Sequence, residues 1–420
     1  MEAAQLPRVL AGWRPGEPVS HEEHLAMHGP VPVARARTDL VEEVERSGLR
    51  GRGGAGFPAA AKLRAVARTR GRAVVLANGA EGEPASRKDR ALLAGAPHLV
   101  LDGALLAAAA IGAGEVILAI KEASEKALAA IEGALRERDD VGRLDVRVVD
   151  APASYVAGEE TALVSYLNTG RALPTFVPPR PFERGVGGRP TLVQNVETLA
   201  HMALIARRGS DWFCQVGVDE DPGSNLVSLL GAVARPGVYE IESGTTVEAL
   251  VAAAGGATEP LQTFLLGGYG GAWVGAGRAP ALALGRGQEA ATGLGAGVVA
   301  ALPASACGVC ETARVLRYLA RESAGQCGPC IHGVGAIAEA FSEIADRTAS
   351  PGTHRWVERW SKDVAGRGAC GHPDGAALLA ASALFAFRDQ VEGHEAGARC
   401  GATDGAGWTL PLPDHVAAMA

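Results

Sequence analysis

The run Gly48-Leu-Arg-Gly-Arg-Gly-Gly-Ala-Gly-Phe-Pro58 holds five glycines and a proline, with Lys62 four residues beyond it. No ordinary helix or strand tolerates that composition. Glycine permits positive φ and lets backbone N–H groups close on a ligand with no Cβ in the way. Arg50, Arg52 and Lys62 add positive charge, so the guest this stretch suits is a phosphate or pyrophosphate. The spacing Gly51-x-Gly53-x-x-Gly56 satisfies the dinucleotide fingerprint literally, but that fingerprint needs a strand before it and a helix after it. Residues 39–47, just upstream, are apolar at helical spacing, so the loop is not the first turn of a Rossmann unit. The bland alternative is a flexible glycine loop without a ligand. A second chemical set lies far downstream. Of seven cysteines, Cys307, Cys310, Cys327, Cys330 and Cys370 gather in the last third of the chain. That clustering suits metal or cluster ligation under reducing conditions better than a secreted disulfide scaffold. An isolated C-x-x-C also leaves zinc and thiol redox chemistry open.

The 420 residues suffice for two or three domains with their own cores. Forty basic and 47 acidic residues leave a net charge of −7. No basic run or aromatic-studded cationic stripe appears, which argues against nucleic acid as a partner. Residues 1–12 lack an apolar core of signal-peptide length. Residues 98–120 form the most apolar run, but Asp102, Gly103, Gly112 and Gly114 punctuate it. It reads as a buried helix followed by a buried strand, not as a membrane span. The expectation is a soluble, cytoplasmic protein.

The elements that must position these groups follow in order. Residues 1–35 read as an irregular arm. A helix over 39–47 ends at Gly48 and delivers the chain into the glycine loop; a second, over 59–68, places Lys62 beside it. Residues 73–77 are a short apolar run, the mark of a strand buried on both faces. It ends at Asn78, so Asn78-Gly-Ala-Glu-Gly-Glu-Pro84 sits at a strand's carboxyl end, where open α/β sheets bind ligands. Helix (97–111), strand (116–120), helix (122–138) and strand (144–149) alternate as in a parallel sheet with covering helices. Gly158, Glu159 and Glu160 form the next turn, before a helix over 161–167. Acidic residues at a helix N-terminus are either dipole-compensating caps or, beside Asn78, ligand-facing groups. Near Asn225 the chain becomes β-rich and Gly-rich. After residue 300 it turns helical, over 312–321, 333–346, 353–364 and 375–391.

The glycine run, Asn78-Gly-Ala-Glu-Gly-Glu-Pro84, Lys88-Asp-Arg90, Gly158-Glu-Glu-Thr161 and Gln194-Asn-Val-Glu-Thr198 stand in a fixed order. Together they closely resemble the NADH-oxidising flavoprotein subunit of respiratory complex I and its relatives in NAD-dependent hydrogenases and formate dehydrogenases. The resemblance runs from about residue 35 to about residue 390. It implies an α/β fold: an arm (1–35), a parallel-sheet FMN/NADH-binding domain (36–223), a small ubiquitin-like β-grasp domain (224–290), a C-terminal helical bundle carrying a [4Fe–4S] cluster (291–400) and a tail (401–420). It implies FMN among Gly51, Arg52, Gly53, Gly54, Lys62, Asn78, Glu81, Gly158, Glu159, Gln194 and Asn195, with NADH against Phe57, Glu83 and Glu160. Departures gather at the nucleotide site. Ala65 and Val177 replace an aromatic residue and a lysine, Arg180 replaces a phenylalanine, and Ala80 replaces an acidic residue. Arg180 offers a positive charge in return.

The resemblance also implies a cluster held by Cys327, Cys330 and Cys370, but Ala324 stands where the first of four cysteines belongs. Candidates for the vacant corner are His372, His332, Ser323 or water. Cys307 and Cys310 are separated from Cys327 by a helix of about ten residues, roughly 15 Å at ~1.5 Å per residue. Cys214 and Cys400 read as plain thiols. The implied function is electron transfer from NADH through FMN to the cluster and on to a partner, such as a ferredoxin or a small [2Fe–2S] protein. Docking to a membrane complex is compatible with it. The redox chemistry is the cofactors' own, so no catalytic acid or base is assigned. Two alternatives stand: the same cofactors with reduced ferredoxin or NADPH as donor, or a scaffold protein without cofactors.

Overall fold

The computed structural model describes residues 6–14, 16–122, 124–140, 144–285, 293–400 and 407–413. The arm is not irregular throughout. Ser20 and Glu23 form a reciprocal capping box that starts α1 (His21–His28). Helices α2 (Val33–Arg46) and α3 (Ala59–Arg68) flank the glycine loop. Then β1 (Val74–Gly79), α4 (Lys88–Gly95), α5 (Pro97–Ile111), β2 (Glu115–Lys121), α6 (Glu125–Arg136) and β3 (Asp145–Ala151) alternate as expected. A 3₁₀ turn (Tyr155–Gly158) leads to α7 (Glu160–Thr169), and β4 (Thr191–Asn195) runs directly into α8 (Val196–Arg208).

The four strands form an all-parallel sheet in the order β3-β2-β1-β4. The chain lays β2 and β3 to one side of β1, then returns to add β4 on the other. Between β1 and β4 the strand order therefore reverses, and the crevice at their carboxyl ends is the topological switch point. The register pairs Asn78 with Asn195 at that edge.

Helix α5 is the core of this unit and is buried almost end to end. Asp102, in its middle, meets Arg138 (2.6 Å), Arg207 (2.5 Å) and His24 (2.7 Å). Burial pushes its carboxyl up, but the His24 hydrogen bond and the two guanidinium charges outweigh it and hold the group at about 2. Among the described residues no single helix is long and apolar enough to cross a membrane; α4 and α5 reach that length only as a pair bent by 96°.

A one-turn helix α9 (Ser210–Phe213) and a short ribbon, β5 (Gly217–Val218) with β6 (Asp221–Pro222), lead into a second sheet. It comprises β7 (Ser224–Gly231), β8 (Gly237–Glu242), β9 (Leu261–Leu266), β10 (Ala272–Gly275) and β11 (Val298–Pro303), with α10 (Val247–Ala253) beside it. The order is β10-β9-β11-β7-β8. Strand β11 lies past residue 290, where the expected boundary falls, yet it is central and wholly buried, parallel to β7 and antiparallel to β9. A six-residue apolar run carries no period that separates strand from helix.

The rest is helical: α11 (Gly308–Arg321), a π-helical turn (Pro329–Val334), α12 (Gly335–Asp346), α13 (Thr353–Val364), α14 (His372–Ala386) and α15 (Arg388–Glu395). The helix expected over 375–391 is two helices, divided at the buried Phe387. The cores of the second sheet's inner face and of the helices are continuous.

Candidate functional site: two joined cavities and two groups of cysteines

A cavity of about 580 Å³ opens at the switch point. Its floor is the glycine loop, with Gly51, Gly53 and Gly56 in the lining and Phe57 at the rim, half exposed. Asn78 and Asn195 close it from the strand ends, Gly158, Glu159 and Glu160 from the turn before α7, and Lys62, Gln194 and Arg180 from the sides. Asn78 donates to the Gly158 carbonyl (2.9 Å) and accepts from the Ala80 N–H (3.1 Å), fastening the two turns together. Only glycine fits at 158, because a Cβ there would lie 2.4 Å from the Ala80 oxygen. Asn195 caps α8 by accepting from Glu197 N–H (3.0 Å) and donates to Asp89 (2.7 Å). Buried Lys88 bridges Asp89 (2.6 Å) and Glu197 (2.8 Å), so the Lys88-Asp89 pair serves as the frame that orients Asn195.

Lys62 pairs with Glu160 and reaches the Val193 carbonyl (3.5 Å). Glu159 accepts from Thr161 and Ala162 N–H (both 2.9 Å), so the capping reading holds while the residue still lines the cavity. The Gln194 amide nitrogen is buried and has no hydrogen-bond partner among the described residues. An unpaired buried donor costs about 1–3 kcal/mol unless something accepts from it. That donor, beside a floor made largely of glycine, fits a flat ligand rich in carbonyl and phosphate acceptors.

A second cavity, about 750 Å³, lies against the first and shares Gly53, Ala55, Gly56, Glu159 and Gly371 with it. Gly54, Cys370 and His372 line only this second space. Cys327 and Cys330 stand just past the carboxyl end of α11, Cys330 within the π-helical turn. Burial pushes the Cys330 thiol up to about 11, with the Ser323 hydroxyl bonded to it and the sulfurs of Cys327 and Cys370 close enough to add to the shift. His372 holds the Leu319 carbonyl with Nε2 (2.8 Å), while its buried Nδ1 has no partner among the described residues. Cys307 and Cys310 lie at the opposite end of α11, a helix of 14 residues that spans about 21 Å. Cys400 is not a solitary thiol: its sulfur is 3.7 Å from that of Cys310.

Residues 44–204 match the Nuo51 FMN-binding domain, 305–394 the NADH-ubiquinone oxidoreductase-F iron-sulfur binding region, and 226–268 the SLBB domain. The second of the NADH-quinone oxidoreductase F subunits of Rhizobium meliloti (strain 1021) is 32% identical over 381 residues, 86% of this chain and 90% of that protein. The chain belongs to the family of NADH-quinone oxidoreductase F subunits. The F subunit of the Streptomyces coelicolor enzyme (strain ATCC BAA-471 / A3(2) / M145) is 30% identical over 395 residues, covering 88% of this chain and 85% of its own length. Among solved structures, an NAD⁺-reducing [NiFe]-hydrogenase in the H₂-reduced state superposes with a TM-score of 0.83 at 30% identity. The superposition covers 93% of this chain and 67% of that one.

Within this NADH-quinone oxidoreductase fold, three residues expected at the cofactor line neither cavity. Arg52 is fully buried, its guanidinium 3.3 Å from Asp221 and 3.3 Å from the Pro222 carbonyl. Its charge pins the loop to β6 instead of facing a phosphate. Glu81 accepts from the Ser86 hydroxyl (2.5 Å) and Asp89 N–H (3.1 Å) and pairs with Arg90 (3.1 Å), which fixes the start of α4. Glu83 turns towards the second sheet and accepts from Tyr269 N–H (2.8 Å) and Ala85 N–H (3.1 Å). In each case a carboxylate or guanidinium that reads as ligand-facing is engaged by other groups of the protein. Sequence reasoning missed Asp89 as the group that orients Asn195, and Gly371, where the two cavities meet. The only signal for Gly371 was its place next to Cys370.

Burial raises the Glu83 carboxyl from 4.5 to about 7. The folded state then holds this proton more tightly than the unfolded chain. Stability is greatest below the unfolded value and falls as pH rises, with the cost complete above the folded value. A shift of that size is worth about 3 kcal/mol. Glu83→Gln should therefore stabilise the protein at about pH 8 and much less at about pH 5, in urea unfolding at both. An equal change at the two pH values would show that Glu83 does not titrate in this way.

Proposed function

We infer that this chain is an NADH-oxidising subunit that carries FMN and a [4Fe–4S] cluster and passes electrons to a partner protein. The observation that carries this reading is the junction of the two cavities at Gly371, with the glycine loop on one side and Cys370 on the other. Gly51, Gly53, Lys62, Asn78, Gln194 and Asn195 would hold FMN, the Gln194 amide offering the donor that the described residues leave unsatisfied. Bound FMN supplies acceptance of a hydride and release of electrons one at a time. Phe57 presents an aromatic face at the rim, and Glu160 and Arg180 provide polar contacts for a dinucleotide.

Cys327, Cys330 and Cys370 would hold the cluster. The Nε2–H of His372 given to a carbonyl leaves a lone pair on Nδ1, the arrangement that orients ligating histidines, so His372 is our choice for the fourth corner. Five strands and one helix, with the SLBB match over 226–268, support reading the second sheet as a β-grasp module that ends near Pro303. Its surface would dock neighbouring subunits. A ferredoxin or a small [2Fe–2S] protein suits the role of acceptor, since among these residues only one cluster site is proposed.

The altered nucleotide contacts set the expected kinetics. An aromatic stacking partner is worth about 0.5–1.5 kcal/mol beyond its buried area, so the lack of two weakens NADH roughly tenfold to a hundredfold at ~1.4 kcal/mol per decade. Anaerobic stopped-flow titration with NADH and NADPH should show flavin bleaching with weak saturation, and Arg180→Ala should raise the half-saturating concentration about tenfold more. Micromolar saturation by NADH that ignores Arg180→Ala would reject this account of the site. Reconstituted protein without flavin absorption would point to the scaffold reading instead.

A further inference from the structure

We propose that Cys307, Cys310, His394 and Cys400 bind one tetrahedral zinc ion, at a site separate from the iron–sulfur cluster. The four ligand atoms all lie within 4.8 Å of one another. Cys307 caps the start of α11 and Cys310 lies in its first turn. His394 stands at the end of α15, and Cys400 follows in the next loop. Helix α15, with the loop after it, and α11 thus meet through their ligand atoms.

The distances select the occupant. A zinc ion with Zn–S of about 2.3 Å and Zn–N of about 2.0–2.1 Å at tetrahedral angles sets its sulfurs about 3.8 Å apart and a sulfur and a nitrogen about 3.5 Å apart. The structure has 3.7 Å between the sulfurs of Cys310 and Cys400. It has 3.5 Å between Cys307 Sγ and His394 Nε2. A [4Fe–4S] cubane needs its four ligands spread around a body several ångströms wide, and this group encloses room for a single ion. A disulfide between Cys310 and Cys400 would need the sulfurs at about 2.05 Å, and it would leave the Cys307–His394 approach without a purpose.

The surroundings are those of a metal site. His394 Nδ1 faces the carbonyls of Ile344 and Ala345 at 3.2 Å each. Only a protonated Nδ1 suits two acceptors, and that tautomer turns the Nε2 lone pair towards Cys307; such a carbonyl-anchored histidine is the usual outer-sphere partner of a ligated metal. Arg347 places a guanidinium nitrogen 3.0 Å from Cys400 Sγ and holds the Ala398 carbonyl at 2.7 Å, fixing the loop that carries Cys400. Arg347 does so from φ +63°, a left-handed conformation that costs a residue with a side chain. Cys307 and Cys310 sit at the positive end of the α11 dipole. Cys307 and His394 are buried. The flavin and cluster cavities include none of the four, so the role we assign is structural: a clasp that ties α15 and the segment after it to α11. The spacing C-x₂-C with a distant H-x₅-C suits such a clasp.

The test uses the full-length protein purified anaerobically with reductant, with zinc and iron measured by mass spectrometry. About one zinc per chain is expected besides the cluster iron. Cys310→Ser and His394→Gln should each cut zinc at least about tenfold and keep iron. Cys330→Ser should lose iron and keep zinc. Should these variants fail to fold, X-ray absorption at the zinc edge of the parent protein decides, with three sulfur and one nitrogen neighbours expected. Zinc that survives Cys310→Ser, zinc lost with Cys330→Ser, a Cys310–Cys400 disulfide in reduced preparations, or an all-sulfur zinc shell would each overturn the proposal. Loss of the cluster reading alone would leave zinc content untouched.

Discussion

Gly53→Val should yield a folded protein that comes through purification with little flavin. Gly53 lines both cavities, on the loop that faces the ends of β1 and β4. A Cβ built there lies 3.2 Å from the Asn195 Cβ, already tighter than ordinary contact. Asn195 is not free to yield, because its oxygen caps α8 and its nitrogen is held by Asp89. The branched side chain must therefore displace the loop into the cavity or push Asn195 off its cap. Overpacking of this kind costs about 1–3 kcal/mol, which is roughly tenfold to a hundredfold in flavin affinity at ~1.4 kcal/mol per decade. Acid release of FMN per chain, set beside circular dichroism, separates an emptied site from an unfolded protein. Full flavin occupancy in the folded variant would place FMN elsewhere.

The cavity at the switch point was legible in the sequence because its parts carry backbone signals. A glycine run without helical or strand character has to be a loop. A buried apolar strand has to end somewhere, and Asn78 marks that end. Sheet order was not legible: alternation of helix and strand says parallel, but not that β4 returns to the far side of β1 and opens the crevice. Charge was the poorer guide. Arg52 looks like a phosphate ligand in the sequence, yet it is fully buried against Asp221, 169 residues later. Glu83 likewise has a partner that its own segment does not reveal, the N–H of Tyr269 in the turn between β9 and β10. Local spacing cannot report such pairings. The same holds for Cys400, which the sequence left alone and the fold brings to Cys310 across 90 residues.

Loss of one cysteine at the far end of α11 should stop electrons from leaving the flavin without stopping them from arriving. In Cys330→Ser the cluster iron should fall to background, since removing a partner behind a metal ligand already costs about 10–100-fold in affinity and removing a ligand costs more. On the ligand set we propose, only Cys327, Cys330 and Cys370 serve this site, with Ala324 where a fourth would stand, so no spare thiolate takes over. Cys330 is buried in a turn packed against α13 and α14, and serine preserves its volume and its contact with Ser323, so the fold should hold. The flavin cavity is untouched, because Cys330 does not line it. Anaerobic bleaching of the flavin by NADH should therefore keep its rate, while turnover with a ferredoxin-type acceptor drops by about a hundredfold or more. The paired control is Cys307→Ser/Cys310→Ser, which changes thiols at the other end of a 14-residue helix that spans about 21 Å. Its iron content and reduced-state EPR signal should match the parent. A cluster lost there and kept in Cys330→Ser would reverse the assignment of the two groups of cysteines.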